Sequence, residues 1–216
     1  MPATAKPGSR GRFITLEGGE GTGKSTQAKL LVAWLRERAV DAIPTREPGG
    51  AAGAERIREL LVQGSADRWT PLSEALLHYA ARADHLERVV RPALASGQWV
   101  VSDRFADSTA AYQGHGHGVP LAFIESLFAA VVGDTKPDLT LILDIPVADG
   151  LRRAAQRAGH EDRYEQMTLD FHERLRAGFL AIARADPERC VLIDASRSVD
   201  AVQTGIRAEV QRRFGI

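Results

Sequence analysis

Short hydrophobic runs alternate with longer amphipathic segments along the whole chain. Five apolar runs are predicted to be β-strands: residues 13–17, 42–46, 98–102, 139–144 and 190–194. Seven segments carry apolar side chains at helical spacing: residues 25–38, 54–63, 72–95, 120–132, 147–158, 165–185 and 198–213. This alternation predicts a three-layer α/β fold, in which a parallel sheet has helices on both faces.

The chain is predicted to form a single domain over residues 13–216. Its 216 residues are enough to bury a full core, and the sequence has no repeat, low-complexity tract or long linker. Residues 1–12 are small, polar and basic, which is typical of a flexible tail. The apolar stretch that follows is too short for a signal peptide, and no later run is long enough to cross a bilayer.

The charge balance argues against a nucleic-acid or membrane partner. Lys and Arg number 28, and so do Asp and Glu, so the chain has no bulk attraction for polyanions. The chain has one cysteine, Cys190, so a disulfide within the chain is excluded. Cys190 lies beside an apolar run. These features favour a cytoplasmic protein in which Cys190 is a small buried hydrophobe.

One glycine-rich stretch, Gly18–Ser25, fits the phosphate-loop pattern G-x-x-x-x-G-K-[ST] at every fixed position. A predicted strand precedes it and a predicted helix follows it, which is the context that the pattern needs. The dinucleotide pattern G-x-G-x-x-G cannot be placed on these glycines in any register. The alternative is a glycine turn that binds nothing, and we favour a nucleotide site over it.

Glycines allow such a loop to turn several backbone amides toward one point at a helix N-terminus, where an anion is favoured. Lys24 would reach the β and γ phosphates, and Ser25 would offer its hydroxyl to Mg²⁺. We therefore predict ATP as the nucleotide. The predicted ATP-binding residues are Gly18, Gly19, Glu20, Gly21, Thr22, Gly23, Lys24, Ser25 and Thr26.

Three predicted strands end in an aspartate: Asp103, Asp144 and Asp194. Ligands of open α/β sheets bind outside the carboxyl ends of the strands, so each aspartate is a candidate to face the nucleotide. Arg104 follows Asp103 directly, and an acid for Mg²⁺ beside a guanidinium for phosphates suits phosphoryl transfer. Asp103 and Ser25 are the predicted metal ligands. The alternative for Asp103 and Arg104 is a local ion pair.

Several arginines have no obvious acidic partner in the sequence. Arg46, Arg58 and Arg82 are scattered, whereas Arg152, Arg153, Arg157 and Arg163 crowd around Gly159. A kinase must neutralise charge as the phosphoryl group moves and must exclude water. Residues 150–165 are therefore a candidate flap that closes over the site; a solvated helix face is the alternative.

Two patterns that resemble other sites are not interpreted as functional. Residues 135–138 imitate the guanine-reading N-K-x-D motif, but they precede an apolar run where that motif would follow one. His115 and His117 are spaced like metal ligands, yet no cysteine or carboxylate cluster accompanies them, so we interpret them as loop histidines.

Four further motifs follow the phosphate loop in order. They are TREPGG at 45–50, YAAR at 79–82, DRF at 103–105 and AYQG at 111–114. With these motifs the chain resembles bacterial thymidylate kinases from about residue 12 onward. The resemblance implies ATP- and Mg²⁺-dependent phosphorylation of dTMP to dTDP, a homodimer, and a P-loop NTPase fold with strand order 2-3-1-4-5.

The resemblance also implies roles for individual residues around dTMP. Glu20 is similar to the carboxylate that accepts from the sugar 3′-hydroxyl, Arg58 and Arg104 to the arginines on the dTMP phosphate, and Tyr112 to the ring that disfavours ribose. Arg82, Thr109 and Gln113 are expected at the thymine edge. The full implied substrate set is Glu20, Glu47, Pro48, Arg58, His78, Arg82, Arg104, Ser108, Thr109, Tyr112 and Gln113.

The chain departs from the family at His78, where an aromatic residue usually stacks on thymine; imidazole can stack and can also hydrogen-bond. Family members carry a catalytic arginine in the phosphate loop or in the flap, and this loop contains none. The resemblance therefore points to Arg157 and Arg163 of the flap. The predicted catalytic residues are Lys24, Asp103, Arg104, Arg157 and Arg163.

Two other functions stay open from the sequence. A kinase for another nucleoside monophosphate would share Lys24, Asp103 and Arg104, and a substrate panel separates it from a thymidylate kinase. A non-enzymatic nucleotide switch would need a guanine-reading motif and a D-x-x-G after a strand, and the sequence has neither.

Overall fold

The computed structural model describes residues 10–65, 67–156 and 163–216. Its sheet consists of five strands: β1 (Phe13–Glu17), β2 (Ala42–Arg46), β3 (Trp99–Asp103), β4 (Leu139–Asp144) and β5 (Cys190–Asp194). All four strand pairings are parallel, and the order is β2-β3-β1-β4-β5. The predicted sheet and strand order are confirmed.

The α-helices that surround the sheet are α1 (Lys24–Glu37), α2 (Ala52–Val62), α3 (Pro71–His85), α4 (Arg91–Ala95), α5 (Ala106–Thr109), α6 (Leu121–Val131), α7 (Val147–Ala155), α8 (Leu169–Ala185) and α9 (Val199–Phe214). Two π-helical segments, Leu86–Val90 and Ala110–Gly116, continue α3 and α5. The first makes residues 71–95 one helical stretch, close to the predicted 72–95. The second belongs to a helical region that the sequence pattern did not predict.

Both faces of the sheet are covered at its centre. Side chains of β1 point alternately to the two sides of the sheet, and all five are buried. Ile14 and Leu16 pack on α1 and α9, whereas Phe13 packs with the opposite layer and meets the Phe105 ring edge-on at 4.9 Å. Burying each such side chain contributes about 1.5–3 kcal/mol. The carboxyl end of β1, where the glycine loop begins, is therefore rigidly held.

Part of the predicted tail is fixed to the domain. Gly11 donates its amide to the Leu94 carbonyl at 2.8 Å, and both Arg10 and Arg12 lie 3.4 Å from Asp138, just before β4. Residues 1–9 lie outside the described residues. Within residues 10–65, 67–156 and 163–216, no helix has the length and hydropathy needed to span a membrane.

Candidate active site

The phosphate loop turns from β1 into α1 and requires its glycines. Gly18 and Gly21 have φ angles of +133° and +69°, in the region that side chains rarely adopt. A Cβ atom on Gly21 would also lie 1.9 Å from the Gly150 carbonyl oxygen of α7. The loop is therefore wedged against α7, with its amides at the α1 N-terminus.

Lys24 opens α1, and its side chain folds back over the loop. Its Nζ donates to the Gly19 carbonyl at 2.6 Å and to Thr22 Oγ1 at 3.1 Å. Burial, followed by the nearby charge of Arg104, lowers the pKa of Lys24 to about 8. The lysine is thus held beside the loop with its charge poorly compensated, as suits a site that receives an anion.

Ser25 and Asp103 meet where β1 and β3 end. Ser25 Oγ donates to Asp103 Oδ2, and Asp103 Oδ1 is buried without a partner among the described residues. A hydroxyl and a carboxylate are the hard oxygen donors that Mg²⁺ prefers. The described residues hold no group of three His, Cys, Asp or Glu suited to a metal.

The other two strand-end aspartates are engaged elsewhere. Asp144 pairs with Arg176 through both oxygens, at 2.8 and 2.9 Å, and Asp194 accepts bonds from Ser196. Of the three candidates that the sequence suggests, Asp103 alone contacts the phosphate-loop helix in the part of the chain that the structure describes.

Arg104 links the phosphate loop to the substrate side of the cleft. It has a φ of +71°, and its guanidinium lies 3.0 Å from the Gly18 carbonyl, 3.0 Å from Glu20 Oε1 and 3.2 Å from Ser108 Oγ. The Tyr112 hydroxyl donates to the same Glu20 oxygen at 2.5 Å. The strained backbone at Arg104 places its guanidinium between the phosphate loop and the substrate side of the cleft.

Glu17 supports the turn after β3 that carries Arg104. Its role was not predicted from the sequence. The buried carboxyl accepts from the Phe105 amide at 2.7 Å and from Ser108 Oγ at 2.6 Å. Burial, with the charge of Asp107 second, raises its pKa to about 8. The available signal was an ionisable residue that ends an otherwise apolar strand directly before the glycine loop.

Two residues at the far end of the cleft carry buried polar atoms without a partner among the described residues, Arg82 Nη1 and Gln113 Oε1. The rest of each side chain is fixed. Arg82 bonds Glu47 at 2.8 Å and Thr109 at 3.1 Å, and Gln113 Nε2 donates to Glu74 at 2.6 Å. The pocket thus offers one fixed donor and one fixed acceptor.

His78 joins this pocket to the end of the candidate flap. Its Nε2 lies 2.9 Å from the Tyr164 hydroxyl, and the Tyr164 ring meets the Tyr112 ring edge-on at 5.2 Å. Burial, followed by the charges of Arg82 and other arginines, lowers the pKa of His78 to about 3. The imidazole is therefore neutral at physiological pH.

Most of the arginines without an obvious acidic neighbour in the sequence have an acidic partner in the fold. Their partners are Glu55 for Arg46, Glu47 for Arg82, Asp149 for Arg152 and Glu74 for Arg163. Arg58 donates to the Pro48 carbonyl at 2.8 Å. Asp149 lies three residues before Arg152 in α7, whereas the other acids are distant in the sequence or belong to other elements, which the local sequence does not reveal.

The predicted flap is only partly described. Residues 157–162, and with them Arg157, lie outside the described residues. Arg163 is buried, with Nη2 2.5 Å from Glu74 Oε2 and further bonds to the Leu61 and Ser65 carbonyls. Arg153 lines the cleft and donates to the Ala195 and Ser196 carbonyls. The catalytic roles of Arg157 and Arg163 stay predictions.

Both histidines of residues 115–117 pack against α8; His115 belongs to a helical segment and not to a loop, whereas His117 lies in the turn that follows. His115 lies in the π-helical segment against Gly178 of α8. The His117 ring packs on Phe171 at 4.6 Å and lies 3.9 Å from Glu74.

A cleft of about 890 Å³ brings most of the predicted residues together. Those that line it are Glu20, Gly21, Gly23, Lys24, Ser25, Thr26, Glu47, Pro48, Arg58, His78, Arg82, Asp103, Arg104, Ser108, Tyr112 and Gln113. Gly18, Gly19 and Thr22 lie against a small cavity behind the loop, and Thr109 bonds Arg82. Arg163 is not among the residues that line the cleft.

Comparison with known proteins agrees with this geometry. Residues 16–206 match the family model described as thymidylate kinase. The chain is 56% identical to the thymidylate kinase of Caulobacter vibrioides over 96% of this chain and 100% of that one, and 51% identical to that of Afipia carboxidovorans over 97% and 92%. The crystal structure of the thymidylate kinase from Ehrlichia chaffeensis superposes with a TM-score of 0.77 at 34% identity, covering 95% of this chain and all of that one.

Proposed function

Since this chain belongs to the thymidylate kinase family, we propose that it transfers the γ-phosphoryl group of ATP to dTMP, giving dTDP and ADP. The observation that carries the proposal is a single cleft that joins the phosphate loop to a pocket with one fixed donor and one fixed acceptor.

The pocket suits thymine because the two unpartnered atoms match its edge. Arg82 Nη1 can donate to O4 of the base, and Gln113 Oε1 can accept from the N3–H group. Cytosine presents the reverse pair, an amine and a bare N3, so both contacts would become repulsive. A site that leaves buried polar groups unpaired rejects a ligand strongly. The geometry therefore supports dTMP over dCMP.

The sugar is placed between Glu20 and Tyr112. Glu20 already accepts bonds from both Arg104 and the Tyr112 hydroxyl, so its carboxylate is oriented before substrate arrives. The 3′-hydroxyl adds a further donor to it. By the family resemblance the Tyr112 ring edge would lie against C2′ of the sugar, where a 2′-hydroxyl would clash with it, which favours deoxyribose.

The transfer step is an in-line displacement that needs no general base. The dTMP phosphate has a second pKa of about 6, so its oxygen is already anionic at neutral pH. That oxygen forms the new bond to the γ-phosphorus while the bond to the β–γ bridging oxygen breaks, and ADP leaves with the electron pair. Catalysis is then positioning and charge stabilisation by Lys24, Arg104 and the loop amides.

Ser25 and Asp103 fit Mg²⁺, since they offer a hydroxyl and a carboxylate beside the phosphate loop. When bound, the ion supplies charge neutralisation at the β- and γ-phosphate oxygens. Asp103 holds the Ser25 hydroxyl in place from the end of β3, so the two ligands are positioned together.

We keep Arg157 as the proposed catalytic arginine of the flap. Arg163 is engaged with Glu74 in the arrangement described, and Arg153 reaches the cleft wall. A transfer role for Arg163 would require it to exchange Glu74 for a phosphate oxygen.

A homodimer and a cytoplasmic setting complete the proposal. The sequence of α6 is LAFIESLFAAV, and of these residues only Ile124 is buried in the single chain. Four further apolar residues of α6 are only partly buried against the core, and Leu121 is 42% exposed, so this apolar helix supports self-association. Light scattering after gel filtration would give twice the chain mass if the dimer forms. Localisation stays a prediction.

The first test is ADP formation with ATP and Mg²⁺, with dTMP, dUMP, dCMP, AMP and GMP added in turn. Rapid turnover with dTMP and slow turnover with dCMP and AMP are expected. A preference for another monophosphate would make this chain a kinase of different specificity. Slow ATP hydrolysis independent of any acceptor would favour a nucleotide switch.

A further inference from the structure

Glu74 is a buried carboxylate in α3 that bridges two parts of the molecule. Its Oε1 accepts from Gln113 Nε2 at 2.6 Å, and its Oε2 lies 2.5 Å from Arg163 Nη2. His117 Nε2 is 3.9 Å from Oε1, and Tyr164 also bonds Glu74. Glu74 does not line the cleft, so it acts only through its neighbours.

The chemistry of a carboxylate dictates which end of the Gln113 amide faces the cleft. The two ends of an amide have the same shape, and only their partners decide which is where. A carboxylate paired with Arg163 can only accept, so Gln113 must turn Nε2 toward Glu74. Its Oε1 is then the end that faces the cleft, and it has no hydrogen-bond partner in the part of the chain that the structure describes.

Arg163 makes this arrangement stable in the interior. Its guanidinium also donates to the Leu61 and Ser65 carbonyls, at 3.2 and 3.0 Å, and both members of the ion pair are 1% exposed. An unpaired buried carboxylate would cost several kcal/mol. The ion pair therefore keeps Glu74 an acceptor.

We propose that Glu74 is a positioning residue that determines base specificity, because it makes Gln113 present an acceptor to position 3 of the base. The inference rests on the proposed function and deepens it. Arg82 supplies the donor for O4, and Glu74 fixes the polarity of the second contact. A base with N3–H is accepted, and a base with a bare N3 is rejected.

Glu74→Gln tests this polarity with almost no change of shape. The single oxygen of the new amide is held by Arg163, which can only donate, so its NH₂ group faces Gln113. The Gln113 amide then reverses and offers Nε2 to the base. We expect kcat/KM for dTMP to fall about 10–100-fold, mainly through KM, while kcat/KM for dCMP does not fall, because Nε2 can donate to the bare N3 of cytosine. The ratio of kcat/KM for dTMP to kcat/KM for dCMP falls at least about tenfold.

Two variants serve as controls. Glu74→Asp keeps an acceptor-only group and is expected to preserve the dTMP to dCMP ratio, even with lower activity. On a Gln113→Ala background, Glu74→Gln should leave the ratio unchanged, because the amide that it reverses is gone. If Glu74→Gln fails to fold by circular dichroism, the double variant Glu74→Met, Arg163→Met is the second test, since it leaves no buried charge unpaired, frees the amide to take both orientations and should also narrow the ratio.

The outcomes separate this inference from the proposed function. A folded Glu74→Gln enzyme with the wild-type ratio, or with equal losses for both nucleotides, overturns the positioning role and leaves a thymidylate kinase intact. A wild-type enzyme that does not prefer dTMP over dCMP overturns the proposed function instead.

Discussion

His78 Nε2 lies 2.9 Å from the Tyr164 hydroxyl, so a hydrogen bond joins α3 to the chain directly beyond residues 157–162. Arg163 and Glu74 form a second link between the same two parts. Glu74, His78 and Arg82 are four residues apart and share one helix face. This face of α3 therefore holds both the flap's return segment and the proposed base pocket.

Two substitutions of His78 distinguish the contribution of its ring from that of its hydrogen bond to Tyr164. His78→Phe keeps a ring able to stack on the base, so we expect dTMP turnover within tenfold of wild type, with a stability loss of about 1 kcal/mol for the bond to Tyr164. His78→Ala loses the ring and should raise KM for dTMP at least about tenfold. Steady-state kinetics and thermal unfolding measure both.

The same residue gives a pH prediction. Because burial lowers the pKa of His78 to about 3, the imidazole stays neutral across pH 6–9 and contributes no inflection to kcat/KM there. The pH profiles of wild type and His78→Phe should superimpose in shape. An inflection near pH 6.5 present in wild type and lost in His78→Phe would contradict a neutral, buried imidazole.

Glu17 predicts a pH-dependent stability. Its folded pKa of about 8 lies above the ordinary 4.5, so the protonated form stabilises the fold fully below pH 4.5, and this contribution is lost as pH rises through 8. Glu17→Gln can still accept from Phe105 and should abolish that decline. We expect the variant to exceed wild type by about 2–4 kcal/mol at pH 8.5 and to match it near pH 5.

Urea unfolding at pH 5 and 8.5 measures this effect. Glu37→Gln, at an exposed position of α1, is the matched control and should keep the wild-type pH dependence. Glu17→Ala should lower turnover as well, because the turn that carries Arg104 loses two hydrogen bonds. Equal pH dependence of stability in wild type and Glu17→Gln would show that Glu17 is ionised throughout.

The strands and the phosphate loop are the parts that the sequence predicts best. The central strands β1, β3 and β4 are apolar runs buried on both faces, and the loop needs glycine at defined positions such as Gly18 and Gly21. Residues 106–116 were missed because they are rich in small residues and contain two glycines, which obscures a helical period. Their helical shape depends on packing against α8 and α3, and Tyr112 and Gln113 gain their positions from it.

The ion pairs of the site could not be predicted, because their members are far apart in the chain. Arg82 and Glu47 are 35 residues apart, and only the fold brings the start of the loop after β2 beside α3. Glu17 and Glu74 were missed for the same reason: each acts by holding a residue from another element. Motifs reveal the groups that meet the substrate, whereas the groups that position them depend on tertiary structure.

Lys24 illustrates a conflict between activity and stability. Its pKa of about 8 lies below the ordinary 10.5, so the cost of burying the charge is fully present below pH 8 and falls as pH rises to 10.5. At pH 7, Lys24→Met should therefore have a free energy of unfolding about 1–2 kcal/mol higher than that of wild type. Its turnover should be at least about 1,000-fold lower. Lys136→Met, at an exposed position, should change neither; a destabilised Lys24→Met would contradict the argument.

Asp103 should set the Mg²⁺ requirement. Asp103→Asn can still accept from Ser25 but loses the negative charge, so we expect the Mg²⁺ concentration for half-maximal activity to rise at least about tenfold, and kcat to fall about 10–100-fold. A magnesium titration at saturating ATP and dTMP measures both. Asp194→Asn is the matched control: it also ends a strand, but it bonds Ser196. If both variants keep the wild-type magnesium dependence, Asp103 serves only to orient Ser25, and the cation is held without its charge.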